Sequence, residues 1–185
     1  MPILREESTL FPETLLDELV CEPSERRWWV LYTRARQEKA VSRALLGYQI
    51  PFYLPLVKKT SVNRGRNYTS HVPLFSGYVF LYGSEEERVR SLTTNRISRT
   101  LAVDDATRFV HDLRQICQLI ASNAPLTVES RLVPGNRVRV RHGSMAGLEG
   151  IVLTRRGATR LLVSIDFLQR GASVEIDDFL LEPIG

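Results

Sequence analysis

Only 2 cysteines and 3 histidines occur in the 185 residues of this chain. Cys21 and Cys117 have neither metal-ligand spacing nor the density of a disulfide framework. His71, His111 and His142 are scattered, no paired-carboxylate or Cys/His constellation stands out, and no phosphate-cradling glycine loop is present. Asp104-Asp105 and Asp177-Asp178 read as turns or helix starts. The sequence therefore argues against an enzyme, a metal site and a cofactor. No apolar run nears the roughly 20 residues that span a bilayer, and Met1 to Glu7 has neither a basic n-region nor an apolar h-region. A cytoplasmic protein away from membranes, most simply a monomer, is the expectation.

What is abundant is arginine, which supplies 22 of the 25 basic residues. The formal net charge of +4 is unevenly spread: residues 1–25 carry −6, residues 26–70 carry +9 and residues 71–185 carry +1. An acidic segment followed by a basic one implies a polyanionic partner met by one surface, with a solvated charged face as the alternative.

Hydrophobic periodicity divides the chain into an acidic N-terminal extension (1–27), an α+β domain (28–121), a linker (122–131) and a small all-β module (132–185). Trp28 to Thr33 reads as a buried strand. Val41, Ala44, Leu45 and Tyr48 predict a helix over 34–46, ended by Gly47, with Arg36, Lys39 and Arg43 on its polar face. Residues 50–60 read as an edge strand because Pro51 and Pro55 cannot donate to a ladder. A basic turn at 63–67 and strand signals in 69–83 follow. Ser84 and Glu87 have capping-box spacing. A strand near 99–103 and a helix over 107–122, with Phe109, Leu113, Ile116, Cys117 and Ile120 on one face, complete a mainly antiparallel sheet with helices against one side. Seven of the 11 glycines then fall within 132–185 among short β-branched runs, which predicts a five-stranded barrel. Gly143, Gly147 and Gly150 fall between β runs, where positive φ is cheap only for glycine.

Two segments carry more than composition. Trp28-Trp29-Val30-Leu31-Tyr32-Thr33-Arg34-Ala35-Arg36-Gln37-Glu38-Lys39, followed by Pro73-Leu74-Phe75-Ser76-Gly77-Tyr78-Val79-Phe80, resembles the N-terminal (NGN) domain of NusG-type transcription elongation factors. Pro134 to Val140 continuing through Gly143 to Val152 resembles a KOW motif. The pair stands in the family's order and covers about residues 28–185. Gly147-Leu148-Glu149-Gly150 and Ser164 to Arg170 are most similar to the specialised UpxY and RfaH antiterminators.

The resemblance implies an NGN α/β sandwich followed by an SH3-like KOW barrel, working by binding. Tyr32, Tyr78 and Phe80 would meet the clamp helices of RNA polymerase; Tyr78, Phe80 and Tyr82 share one strand face, which without the resemblance reads as core under the helices. Arg34, Arg36, Gln37 and Arg96 would face the non-template DNA strand, where guanidinium forks suit phosphate and base edges. Met145, Gly147 and Leu148 would form the KOW surface that meets a small-subunit ribosomal protein or Rho. The readings kept beside it are a housekeeping NusG without sequence-specific recruitment and a ribosome-associated KOW protein that binds RNA.

Overall fold

The computed structural model describes residues 7–17, 24–132 and 134–185, and the chain divides into two compact units, Met1–Ala106 and Thr107–Gly185. Both are built on antiparallel sheets, and with three helices the architecture is mixed α and β.

The first unit contains strands β1 (Leu10–Phe11), β2 (Arg27–Thr33), β3 (Phe52–Tyr53), β4 (Leu56–Asn63), β5 (Arg66–Pro73), β6 (Tyr78–Gly83) and β7 (Ile97–Ala102). Helices α1 (Glu38–Gly47) and α2 (Glu85–Leu92) lie between them in sequence. Five strands form one sheet in the order β1-β3-β6-β2-β7, while β4 and β5 form a separate ribbon. Strand alternation sorts the side chains. Trp29, Leu31, Phe52, Val79, Leu81 and Ile97 face one way and bury Val41 and Leu45 of α1, with Leu92 of α2 packed alongside. Trp28, Val30, Tyr32, Tyr53, Tyr78, Phe80 and Tyr82 share the opposite face, following the register Tyr53↔Phe80, Phe80↔Val30 and Tyr78↔Tyr32.

Several expectations shift here. The acidic segment is not a mere extension: β1 pairs with β3, the Thr9 carbonyl accepts from Leu54 N–H at 2.7 Å, and Leu15 and Leu16 are buried. Cys21, Leu19 and Val20 lie outside the described residues. Residues 50–60 are not one edge strand, because Pro51 and Pro55 bracket the two-residue β3, which sits inside the sheet between β1 and β6. Helix α1 begins at Glu38 rather than at 34, because Arg36 adopts φ 59° and a left-handed residue cannot sit inside a helix. Arg36 therefore leaves the helical face it was expected to share with Lys39 and Arg43. The Ser84 capping box forms as read: Ser84 Oγ accepts from Glu87 N–H at 3.2 Å, and Glu87 Oε2 accepts from Ser84 N–H at 2.8 Å.

The second unit holds most of α3 (Ala106–Ala121) and strands β8 (Leu126–Glu129), β9 (Arg137–Val140), β10 (Glu149–Arg155), β11 (Ala158–Ile165), β12 (Arg170–Glu175) and β13 (Leu181–Pro183). The third helix thus groups with the C-terminal strands. Its buried stripe is Phe109, Leu113, Ile116 and Leu119; Cys117 and Ile120, expected there, are half-buried. The presumed linker 122–131 contains β8, which pairs with β12, so the sheet has six strands rather than five, in the order β13-β9-β10-β11-β12-β8. Val138, Val140, Leu161, Val163, Ile165, Val174 and Ile176 form its buried set. Gly143 and Gly147 adopt φ 89° and 85°, as read. Gly150 serves differently: a Cβ there would lie 2.2 Å from the Leu162 carbonyl oxygen, so it lets β10 and β11 approach closely.

Candidate functional site

Four segments meet at one end of the first sheet. The Thr33 N–H closing β2 donates to the Gly77 carbonyl at 2.9 Å, and Arg34 N–H donates to the Arg96 carbonyl at 2.8 Å. The chain then reverses through left-handed Arg36, and Gln37 N–H returns to the Arg34 carbonyl at 3.1 Å. Asn95, at φ 56°, turns the chain from α2 into β7. Gln37 stands at the N-cap of α1 without making a side-chain cap bond, and its Oε1 instead accepts from the Arg96 guanidinium. Beneath them Glu38 is 6% exposed and accepts from Gly77 N–H at 2.6 Å. A buried carboxylate tolerates its desolvation only when hydrogen-bonded, so this bond fixes the start of α1 against the loop before β6.

Arg34, Arg36, Gln37 and Arg96, distant in sequence, are therefore neighbours. Arg34, Arg36 and Arg96 are exposed, and among the described residues Arg34 and Arg36 meet no carboxylate. Holding Arg36 left-handed costs on the order of 1–2 kcal/mol, and the result is a guanidinium projecting from a turn instead of lying along a helix.

The aromatic face adjoins this corner. The Tyr32 and Tyr78 rings lie 4.9 Å apart, and the Arg99 guanidinium sits 4.4 Å over the Tyr32 ring. Both tyrosines are half-buried, so each presents an edge. Phe80, expected among the contact residues, is different: it is 0% exposed, with its ring 6.3 Å from that of Tyr53, and packs within the sheet face instead of bordering solvent. Sequence reading missed Arg99, because its place opposite Tyr32 is set by the pairing of β2 with β7 and not by any local pattern.

In the second unit the loop from Val140 to Leu148 is closed by bonds from Gly147 N–H to the Val140 carbonyl at 2.8 Å and from Val140 N–H to the Leu148 carbonyl at 2.9 Å. Gly147 is exposed, Met145 is half-buried and Leu148 is 0% exposed, so Leu148 anchors the loop while Met145 borders solvent. Helix α3 holds the loop. The Gln115 amide donates to the Glu149 carbonyl at 3.1 Å and accepts from Glu149 N–H at 3.0 Å, while Gln118 Nε2 donates to the Ala146 carbonyl at 2.8 Å. Asp112 accepts from Asp166 N–H at 2.9 Å, yet burial outweighs that bond and pushes its carboxyl above the usual aspartate value. Phe179, in the single turn Asp178–Leu180, is 75% exposed and was not singled out in the sequence.

Among the described residues no group of three His, Cys, Asp or Glu side chains could hold a metal ion, and no helix is long and apolar enough to cross a membrane. The arrangement offers donors, cations and ring faces, which bind rather than react. No curated protein matches the chain. Residues 26–134 match the family model NusG, described as transcription termination factor NusG, and this segment takes in both the arginine corner and the tyrosine pair. Spanning more than half of the chain, the match places it in the NusG family of transcription elongation and termination factors, proteins that act by binding and not by catalysis.

Proposed function

We propose that this NusG-family chain is an antitermination factor of the specialised kind, which binds RNA polymerase and the exposed non-template DNA strand together. The observation that carries the reading is the meeting of Arg34, Arg36, Gln37 and Arg96 beside the Tyr32–Tyr78 pair. Tyr32 and Tyr78 offer ring edges to the polymerase clamp helices, while Phe80 stays buried within the sheet face. The arginines offer bidentate donors to phosphate and guanine, and Gln37, held by Arg96, is oriented toward a base edge. A protein that prefers the closed clamp holds it closed by that difference in affinity alone, which suppresses pausing. The C-terminal unit, read as a KOW barrel, recruits a ribosomal protein or Rho through the Met145–Leu148 loop.

The test is recruitment to a paused elongation complex. Arg34→Ala, Arg36→Ala and Arg96→Ala together should flatten the salt dependence of binding by about 0.7 units for each phosphate that is no longer neutralised. Tyr78→Ala should weaken polymerase binding by more than about 1 kcal/mol while the melting temperature holds. Equal loading on complexes with scrambled non-template strands would favour a housekeeping factor. Co-purification with ribosomal subunits in place of polymerase would favour an RNA-binding KOW protein.

A further inference from the structure

The β4–β5 ribbon takes no part in the corner described above, and its chemistry is unlike that of the rest of the chain. Residues 56–73 contain Lys58, Lys59, Arg64 and Arg66 and not one Asp or Glu. Two of the three lysines of the whole chain lie here. The strands pair from Leu56↔Pro73 to Asn63↔Arg66, eight residues each, which gives an arm of about 26 Å at ~3.3 Å per residue. It belongs to no larger sheet, and every residue from 58 to 71 is exposed. A lone hairpin with both faces in water has no core to stabilise it, so its persistence as a long arm points outward, to a partner.

We propose that this ribbon is an arm that grips the phosphate backbone of double-stranded DNA. The pleat places Lys59, Ser61, Arg66, Tyr68 and Ser70 on one face, and Arg64 stands at the tip in a turn with φ 49° at Arg64 and 74° at Gly65. That face combines cations with hydroxyl donors, the groups that bind phosphate. A two-stranded ribbon also fits the width of a major groove, about 12 Å. Among the described residues none of the four cations meets a carboxylate, so their charge is uncompensated. Solubility would be served equally well by mixed signs, and lysines that merely block edge pairing need no arginine at the tip. A single-strand platform would need a succession of aromatic rings, whereas the arm carries only Tyr68, 52% exposed, and His71, on opposite faces.

The experiment is fluorescence anisotropy of the full chain with a mixed-sequence DNA duplex, titrated with salt and without polymerase, so that failure of the polymerase reading leaves the outcome interpretable. The combined variant Lys58→Ala, Lys59→Ala, Arg64→Ala and Arg66→Ala should lose at least about tenfold in affinity at low salt, and its log–log salt slope should fall by about 0.9 for each phosphate released. Circular dichroism and melting should not change, since all four side chains are exposed. Arg64→Lys with Arg66→Lys should keep the salt slope, since both charges remain. Unchanged affinity and slope in the combined variant would overturn the proposal. So would tighter binding of single-stranded RNA, abolished in the same variant, which would make the ribbon an RNA arm.

Discussion

The two units of this chain carry the same formal charge, +2 each, and distribute its pairing differently. In the C-terminal unit arginines are matched to acids: Arg108 to Asp166, Arg137 and Arg139 to Glu149, Arg141 to Glu182 and Arg155 to Glu129. Arg160 is absorbed by Thr127 Oγ1, Ser173 Oγ and the Ser173 carbonyl. In the N-terminal unit Arg26, Arg43 and Arg88 pair with Glu87, Glu7 and Glu85, and Glu38 is buried on Gly77 N–H, while Arg34, Arg36 and the ribbon cations meet no acid among the described residues. Net charge is thus a poor guide to a polyanion surface. Whether each cation has a counter-charge within hydrogen-bond reach decides how much remains for a partner.

The comparison breaks most severely at Glu129. This carboxylate is 5% exposed, accepts from Ser173 Oγ at 2.7 Å and pairs with Arg155 at 2.9 Å. Glu129→Ala leaves the buried Ser173 hydroxyl without its acceptor, though it still accepts from Arg160, and frees the Arg155 guanidinium. Urea unfolding should show a loss of about 1–3 kcal/mol, and the variant should bind duplex DNA more tightly at low salt than the parent does. Unchanged DNA affinity would show that the freed arginine adds nothing.

The converse change adds acids to the ribbon. Ser61→Glu with Ser70→Glu places carboxylates on the face that carries Lys59 and Arg66 and imitates the pairing of the other unit. Duplex affinity at low salt should fall severalfold, about 1 kcal/mol, while the melting temperature stays within about a degree, since both positions are exposed.

Asp112 offers a smaller test with a defined sign. Its carboxyl is raised by burial, so the folded state binds the proton more tightly than the unfolded state. Its contribution is therefore fully favourable below about pH 4, the ordinary aspartate range, and is lost as the pH rises through the raised value. Asp112→Asn keeps an acceptor for Asp166 N–H without the buried charge. It should raise stability near neutral pH by less than about 1 kcal/mol and remove that component from a profile of melting temperature against pH.

The smallest effect belongs to the Glu7–Arg43 pair, 2.8 Å long, in which Arg43 is 62% exposed. Glu7→Ala should cost less than about 0.5 kcal/mol by chemical denaturation, because solvent screens the attraction.

Much of the fold was legible. Alternation in Tyr78 to Tyr82 separated the aromatic face from that of Val79 and Leu81, the Ser84–Glu87 spacing marked the start of α2, and the helical period of α3 located it to within a residue at each end. Local chemistry determines such features, since a cap needs only its own turn and a pleat only its own strand. The start of α1 was missed because the helix period of 34–46 does not reveal that Arg36 turns left-handed, which depends on bonds from Arg34 to Arg96 and from Glu38 to Gly77. β1 and β8 were missed for a related reason. A strand of two to four residues has too few alternations to show a period and exists through its partners, β3 and β12.

The candidate site divides in the same way. The resemblance to NusG-type factors marked Arg34, Arg36, Gln37, Arg96, Tyr32 and Tyr78 as binding groups, and charge alone marked the 26–70 segment as basic. Only the tertiary structure decided that Phe80 and Leu148 are buried, that Arg99 covers Tyr32, and that among the described residues the ribbon cations meet no acid. Composition is a property of the chain, but exposure and counter-charge depend on which distant segments fold beside each residue, and no local pattern encodes that.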